Sequence, residues 1–310
     1  MLAIALVASS CNDDVEGIGR TQIKITDAPI DNAEVEGVFV TITDVKIDGE
    51  SAPSFSGPQT INLMALQNGR TELLVDEGFG ATTYNSIEFQ LDLVNDANGT
   101  SPGCYVLTDQ GKEALEMDGQ ATADIAVRKT FEVVAGGYNS YIVDFDLRKM
   151  ITQESGGALS PNDYSFATES ETEAALRLVS EANTGTIAGE IDDSSYEGAD
   201  KVVVYAYKKG EFDPNEETTG GPESQFRNAV NSVAVARGWF ENGFELNFME
   251  AGEYELVFAS YSENSTTNQA QFEGLIATDL RIDGQLINTV MVEAEAQLEI
   301  SASLTTILGR

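Results

Sequence analysis

The sequence feature that most constrains the fold is an alternation of apolar and polar residues that begins after Arg20 and continues along most of the chain. It is clearest in the runs QIKITDA, VEGVFVTITDVKID, SIEFQLDLV and YNSYIVDFDLRKMI, which are separated by turn-forming residues. A period of two is typical of β-strands with one face in a core and the other face toward solvent. The pattern therefore predicts an all-β fold of short strands and turns.

The chain is long enough for two β-sandwich domains in tandem, because 310 residues can bury two cores of ordinary size. We place the first sandwich at residues 20–182 and the second at residues 183–310. The second carries, in this order, GTIAGEI, VVVYAY, FELNF and AGEYELVFASY. This order resembles the transthyretin-like or carboxypeptidase-regulatory sandwich. The resemblance implies a spacer or a binding platform.

The phase of the alternation predicts which side chains enter the two cores. Our core candidates are Val143, Phe145, Leu246, Val257 and Phe258. The segment ESETEAALRLVSEA is ambiguous, because its apolar residues fit both a helical stripe and a strand.

The first fourteen residues, MLAIALVASSCNDD, stand apart from this β pattern. A short apolar run is followed by two serines and by Cys11, as in a signal peptide that ends at a lipid-attachment site. The run is too short for a membrane-spanning helix, which takes about 20 residues. We expect residues 1–10 to be a signal segment, Cys11 to be lipidated, and residues 11–19 to be an acidic tether. No Lys or Arg precedes the apolar run, which leaves open a start further upstream.

This opening resembles bacterial lipoprotein signals, and the residues Asn12, Asp13 and Asp14 behind the cysteine resemble the form found in Bacteroidota. In that group such an acidic stretch is associated with export to the outer face of the outer membrane. The resemblance implies that the N-terminal lipid attaches the protein to the outer membrane and that the protein faces the exterior. Each buried CH₂ of an acyl chain contributes about 0.8 kcal/mol to membrane binding, and stable anchoring needs more than one chain.

Charge and residue types exclude several classes of function. The chain has 52 acidic and 17 basic residues, no histidine and a formal charge of −35. A field of this sign repels phosphate backbones, so we expect no nucleic-acid partner. The lack of histidine excludes Ser–His and Cys–His catalytic pairs. If Cys11 carries lipid, Cys104 has no disulfide partner, and we expect it to be a buried structural thiol.

Motif order in the first half resembles a known family. The chain carries, in this order, ITDAPIDNAEVEGVFVTITDVKI, INLMALQNGRTELL, Tyr84-Asn85-Ser86-Ile87 and YIVDFDLRKMI. This order resembles the family called domain of unknown function 4382 over residues 20–182, and TDAP and DFDLRK are its most distinctive parts. The resemblance implies a bacterial lipoprotein and assigns ALRLVS to a closing strand. It implies no activity, because none is established for the family.

The carboxylates of these two motifs are the main candidate site residues. Asp144 and Asp146 lie two residues apart on one strand and project to the same face. Such a pair can bind a metal or act as an acid/base pair. The interpretation that we prefer is a solvated face neutralised by Arg148 and Lys149, with no metal bound. We expect Asp27, in TDAP, to cap a turn in preference to binding a ligand.

Two further motifs have a structural and a binding interpretation. Asp96, in NDANG, begins like a calcium loop, but position twelve is Leu107 where such a loop has glutamate, so we predict a turn. Trp239 and Phe240 could present a platform to a sugar ring, although aromatic residues in strands more often lie in a core.

These expectations combine into a non-catalytic surface lipoprotein that needs no cofactor and docks on a partner protein at the cell surface. A carbohydrate-binding or adhesion module that uses Trp239 to bind a glycan is the alternative. A hydrolase that uses Asp144 and Asp146 is a third possibility, for which we assign no catalytic residue.

Overall fold

The computed structural model describes residues 17–28, 35–153, 164–192, 200–220, 225–237, 242–263 and 270–308. Across these ranges the chain is all-β, as predicted, and its α-helices are short, with four to six residues each. No helix in the described ranges is both long and apolar enough to cross a membrane.

The N-terminal half, residues 17–180, is built from short strands joined by tight turns. Its described strands are β1 (Ile18–Ala28), β2 (Gly37–Ile47), β3 (Glu50–Ser51), β4 (Gln59–Asn62), β5 (Glu72–Gly80), β6 (Thr83–Tyr84), β7 (Ile87–Asp92), β8 (Tyr105–Thr108), β9 (Gly111–Ala114), β10 (Thr122–Val127), β11 (Phe131–Glu132), β12 (Tyr138–Asp146), β13 (Ile151–Gln153), β14 (Tyr164–Phe166) and β15 (Leu176–Ser180). The helices are α1 (Leu147–Met150) and α2 (Glu169–Ala174), with 3₁₀ turns at Leu63–Leu66 and, after the last strand, at Glu181–Asn183.

Two sheets enclose the core of this half. One has the order β15-β12-β1-β5, and the other runs β10-β7-β2-β8-β9 with β3 and β4 also paired to β2. Their inner faces share one apolar core, in which the rings of Phe89 and Phe145 lie 5.4 Å apart. Val143 and Phe145 are fully buried there, which confirms the predicted strand phase.

The ambiguous segment ESETEAALRLVSEA contains both a helix and a strand. Thr168 caps α2 through a capping box with Glu171, and the helix ends before β15 begins at Leu176. In β15, Leu176 and Leu178 enter the core, which confirms ALRLVS as a strand.

The C-terminal half, residues 184–308, contains one helix, α3 (Pro214–Glu217), within its described part. Its described strands are β16 (Thr184–Ile191), β17 (Lys201–Lys208), β18 (Asn231–Ala234), β19 (Ala236–Arg237), β20 (Asn242–Glu250), β21 (Gly252–Glu263), β22 (Ala270–Ile282), β23 (Gln285–Ile287), β24 (Val290–Val292) and β25 (Gln297–Leu308).

These strands form one continuous sheet. Its order is β18-β17-β21-β22-β25-β16-β20-β19, with β23 and β24 added to β22 and β21. The sheet curls so that β18, at one end, lies against β20, near the other end. Leu246 and Phe258 are buried inside the curl, as predicted, whereas Val257 is only partly buried and packs against a second cluster that contains Tyr205.

Candidate functional site

The two most distinctive sequence motifs converge on one place, where β1 and β12 end. These strands pair in parallel, so their carboxyl ends lie at the same edge of the sheet. Thr26 is paired with Asp144, and Asp27 is paired with Phe145. The carboxylates of TDAP and DFDLRK are therefore neighbours in the fold, although more than a hundred residues separate them in sequence.

All three carboxylates at this edge are buried. Asp27, Asp144 and Asp146 are only 6%, 4% and 7% exposed. The predicted solvation of the face that carries Asp144 and Asp146 is therefore wrong, whereas its predicted neutralisation by Arg148 and Lys149 is confirmed for Asp146. The face opposite the N-terminal core is covered by the C-terminal half, which contributes Asn231, Ser232, Asn247 and other residues to a shared cavity with Asp144.

Asp144 forms an ion pair with Arg177 of the adjacent strand β15. The two residues are register partners, and Oδ2 of Asp144 accepts from Nη2 at 2.7 Å and from Nε at 3.2 Å of the guanidinium. Nη1 of Arg177 donates at 2.8 Å to the backbone carbonyl of Phe248, in β20. Arg177 thus connects a carboxylate of the N-terminal half to the backbone of the C-terminal half.

Asp146 has two basic partners, which follow it directly in α1. Its Oδ2 lies 2.9 Å from Nη2 of Arg148 and 3.0 Å from Nζ of Lys149. Nζ of Lys149 also donates to the carbonyl of Ala229 at 2.9 Å. The Arg148 guanidinium lies over the ring of Tyr205 at 5.1 Å. Burial acts to raise the pKa of Asp146, but the two neighbouring cations outweigh it and lower that pKa.

Asp27 differs from the other two carboxylates because no described ion pair includes it. Its Oδ2 accepts from Nε2 of Gln67 at 3.4 Å, and its Oδ1 has no hydrogen-bond partner. Burial, followed by repulsion from Asp144, raises the pKa of Asp27 well above its ordinary value. The turn that we expected Asp27 to cap lies outside the described residues, so that role stays a prediction.

The arrangement joins the two halves. Asp144 and Asp146 hold cationic side chains that reach backbone carbonyls across the boundary, at Phe248 and Ala229. We refer to Asp144, Asp146, Arg148, Lys149 and Arg177 as the interface clasp. Both carboxylates of the clasp are buried and bonded to cations, whereas a general acid or base must be able to contact a substrate.

A larger groove of about 390 Å³ is lined by residues at the end of β10, in α2 and in β15, and several of them are basic. Its lining includes Arg128, Lys129 and Glu173. Arg128 pairs with Glu173, and Lys129 pairs with Glu250 of β20 at 2.8 Å and donates to the carbonyl of Leu178. These cations are engaged with protein groups, and Lys129 adds another link between the halves.

The remaining predicted residues have different outcomes. Cys104 is buried and free, and burial raises the pKa of its thiol to about 12, so the prediction of a structural thiol is confirmed. Asp96 accepts from the backbone N–H groups of Asn98 and Thr100, which confirms the predicted turn. The lipidation residue Cys11, the export residues Asn12, Asp13 and Asp14, and the ligand candidate Trp239 lie outside the described residues.

Sequence reasoning missed Arg177, Ser232 and Asn247, which all lie at this boundary. Arg177 carried a weak signal, because it is a basic residue in the polar phase of a predicted strand. Ser232 and Asn247 carried none, because short polar residues are common on the outer faces of strands.

Comparisons with solved structures found only weak similarity. The minor pilin GBS52 of Streptococcus agalactiae is 11% identical, with 94% of this chain and 98% of that chain covered and a TM-score of 0.20. A protein proposed to act in cell adhesion from Parabacteroides distasonis is 9% identical, with 92% and 98% covered and a TM-score of 0.21. The major pilin subunit BcpA of Bacillus cereus is 10% identical, with 93% and 70% covered and a TM-score of 0.20. TM-scores this low carry no conclusion.

Comparison with curated proteins found no match. A family model does match the N-terminal half, and it includes both motifs that meet at the interface clasp. Residues 18–161 match the family described as "Domain of unknown function (DUF4382)", which confirms the resemblance seen in the motif order over this segment.

Proposed function

We propose that this protein is a lipid-anchored surface protein that acts by binding a partner protein and not by catalysis. Cys11 would carry the lipid, and Asn12, Asp13 and Asp14 would direct the chain to the outer face of the outer membrane. The short apolar run before the cysteine and the formal charge of −35 support this proposal.

The observation that carries the non-catalytic part of the proposal is the interface clasp. The paired carboxylates that a hydrolase would use are buried beneath the C-terminal half and bonded to Arg148, Lys149 and Arg177. Freeing either carboxylate for a substrate would break an ion pair whose cation also bonds to the C-terminal half. The geometry therefore favours a role in holding together one two-part acidic body.

The membrane part of the proposal is tested by separating attachment from export. Cys11→Ala should move the full chain from the membrane fraction to the soluble fraction of the cell envelope. Asp13→Ala/Asp14→Ala should leave the chain in the membrane but protect it from protease added to intact cells. The matched control Asp109→Ala/Asp124→Ala removes two exposed carboxylates elsewhere and should change neither readout. A Cys11→Ala chain that stays in the membrane contradicts the lipid anchor.

The binding part is tested by cross-linking the lipidated chain in intact cells and quantifying what it enriches from the outer membrane. We expect one membrane protein in stoichiometric amount. The same protein should be lost from the Asp13→Ala/Asp14→Ala sample and retained with the Asp109→Ala/Asp124→Ala control. If no protein is enriched, the accessory role is contradicted.

A further inference from the structure

A small cavity at the boundary between the halves is lined by polar side chains, of which only Asp144 belongs to the interface clasp. It has a volume of about 20 Å³, which is room for one water-sized occupant. Asp27 and Asp144 line it from the N-terminal half, and Ser232, Glu245 and Asn247 line it from the C-terminal half.

Four of these side chains have a buried atom without a hydrogen-bond partner. The atoms are Oδ1 of Asp27, Oδ1 of Asp144, Oγ of Ser232 and Nδ2 of Asn247. Asp27, Asp144 and Ser232 are each more than nine-tenths buried. A buried polar atom without a partner is unfavourable, so four such atoms on side chains that line one cavity point to an occupant.

The chemistry of the lining identifies the class of occupant. Three acidic side chains line the cavity, and Arg177, which binds the other oxygen of Asp144, neutralises only one of them. Among the described residues, the lining therefore holds several acidic groups and no basic side chain. Carboxylate and hydroxyl oxygens are the ligands that hard cations prefer.

Asn247 fits the same donor set. Its Oδ1 accepts from the hydroxyl of Thr186 at 3.2 Å. The two ends of an amide are interchangeable in shape, and a hydroxyl can accept as well as donate. Turning the amide over gives Thr186 an N–H partner and directs an oxygen toward the cavity.

We propose that this cavity binds one small hard cation, and that the cation links the halves through Asp27, Asp144, Ser232 and Asn247. Calcium is the probe of choice, because it accepts irregular sets of charged and neutral oxygens, whereas magnesium requires near-ideal octahedral geometry. Glu245 is exposed and also lines the cavity, so the cavity reaches the surface on its side. Water can complete the coordination from there.

The test must distinguish this site from diffuse binding to an acidic surface. The full chain is stripped with EDTA, transferred to about 0.5 M salt, which screens exposed charges more than buried ones, and titrated with Ca²⁺ in a calorimeter. We expect one saturable equivalent, and we expect Asp27→Asn and Ser232→Ala to weaken it at least about tenfold. The control Asp124→Asn removes an exposed carboxylate on β10 and should leave the affinity unchanged.

Thermal unfolding gives a second measurement. A cation that binds only the folded chain must raise the midpoint of thermal unfolding. A Ca²⁺-dependent shift that is lost in Asp27→Asn supports the site. Circular dichroism verifies that Asp27→Asn is folded, and Ser232→Ala gives a second variant without a charge change. If the wild-type chain shows no saturable equivalent, the cavity binds water only and the proposal is wrong. If Asp27→Asn and Asp124→Asn bind alike, the cation lies elsewhere and the proposal is also wrong.

Discussion

Replacing Arg177 with methionine is the most direct test of the interface clasp. The substitution keeps much of the volume and the apolar stem but removes the charge that faces Asp144. It also removes the hydrogen bond from Nη1 to the carbonyl of Phe248, which joins the two halves. Arg177→Met therefore changes one ion pair and one contact between the halves.

The expected loss of stability is large because Asp144 stays buried without its counter-charge. Asp144 is 4% exposed, and its Oδ2 accepts both contacts from the guanidinium, at 2.7 and 3.2 Å. Removing one partner of a buried ion pair costs about 3–5 kcal/mol, against a total stability of about 5–15 kcal/mol for a folded domain. In Asp144→Asn/Arg177→Met the uncompensated charge is gone, so most of the loss should be recovered.

Urea unfolding followed by far-ultraviolet circular dichroism measures both variants, and an unchanged slope shows that the surface exposed on unfolding is the same. The matched control is Arg20→Met. Arg20 pairs with Asp76 through two N–H groups, at 2.7 and 2.8 Å, but its side chain is 65% exposed. Because solvent screens that pair, Arg20→Met should lose far less stability than Arg177→Met.

Two results would refute the reasoning. A loss below about 1 kcal/mol for Arg177→Met would place this pair among exposed ion pairs. A double variant as unstable as Arg177→Met would show that the cost comes from lost packing and not from the buried charge of Asp144.

Three further predictions concern the boundary and the core. The pKa of Asp27 is raised in the folded chain. Between the ordinary pKa and this raised pKa, the folded chain holds a proton on Asp27 and the unfolded chain does not, so the free energy of unfolding falls as pH rises. In EDTA, Asp27→Asn should therefore gain stability relative to the wild-type chain as pH rises through this window, and a constant difference would contradict the assignment. Gly69→Ala should lower the free energy of unfolding in urea more than Gly49→Ala does. Both residues have positive φ, which costs alanine about 1 kcal/mol or more, but only at Gly69 would the added Cβ also lie 2.9 Å from the side chain of Asn247. Equal losses of stability in the two variants would contradict this reasoning. Phe145→Ala should cost about 3–5 kcal/mol, and a loss below about 1 kcal/mol would mean that the core contact is wrongly placed.

The cores could be predicted from sequence because the inward face of a strand is encoded locally. In β12, Val143 and Phe145 are separated by one polar residue, and both lie in the core. Leu246 and Phe258 follow the same rule in the C-terminal half. Alternation shows which face of a strand is apolar, and an apolar face must be covered in any fold of the chain.

The state of the polar face could not be predicted in the same way. Alternation placed Asp144 and Asp146 on one face, but a polar face can meet water or another polar surface. The choice depends on where the C-terminal half docks, which is a contact between residues far apart in sequence. The role of Arg177 becomes visible only when β15 is known to lie beside β12, because the register then places Arg177 opposite Asp144.

The polar character of this boundary suits a chain whose two halves must meet in a single arrangement. A buried ion pair adds little net stability compared with apolar residues of the same volume, so burial alone would favour an apolar contact. Hydrogen bonds and ion pairs add specificity, because they form only when both partners are correctly placed. Arg177 and Lys149 each connect a fixed carboxylate to a carbonyl of the other half, and a displaced docking position would leave those charges buried without partners. We therefore infer that the clasp selects one docked position among many, and that Arg177→Met would broaden this position as well as destabilise the fold.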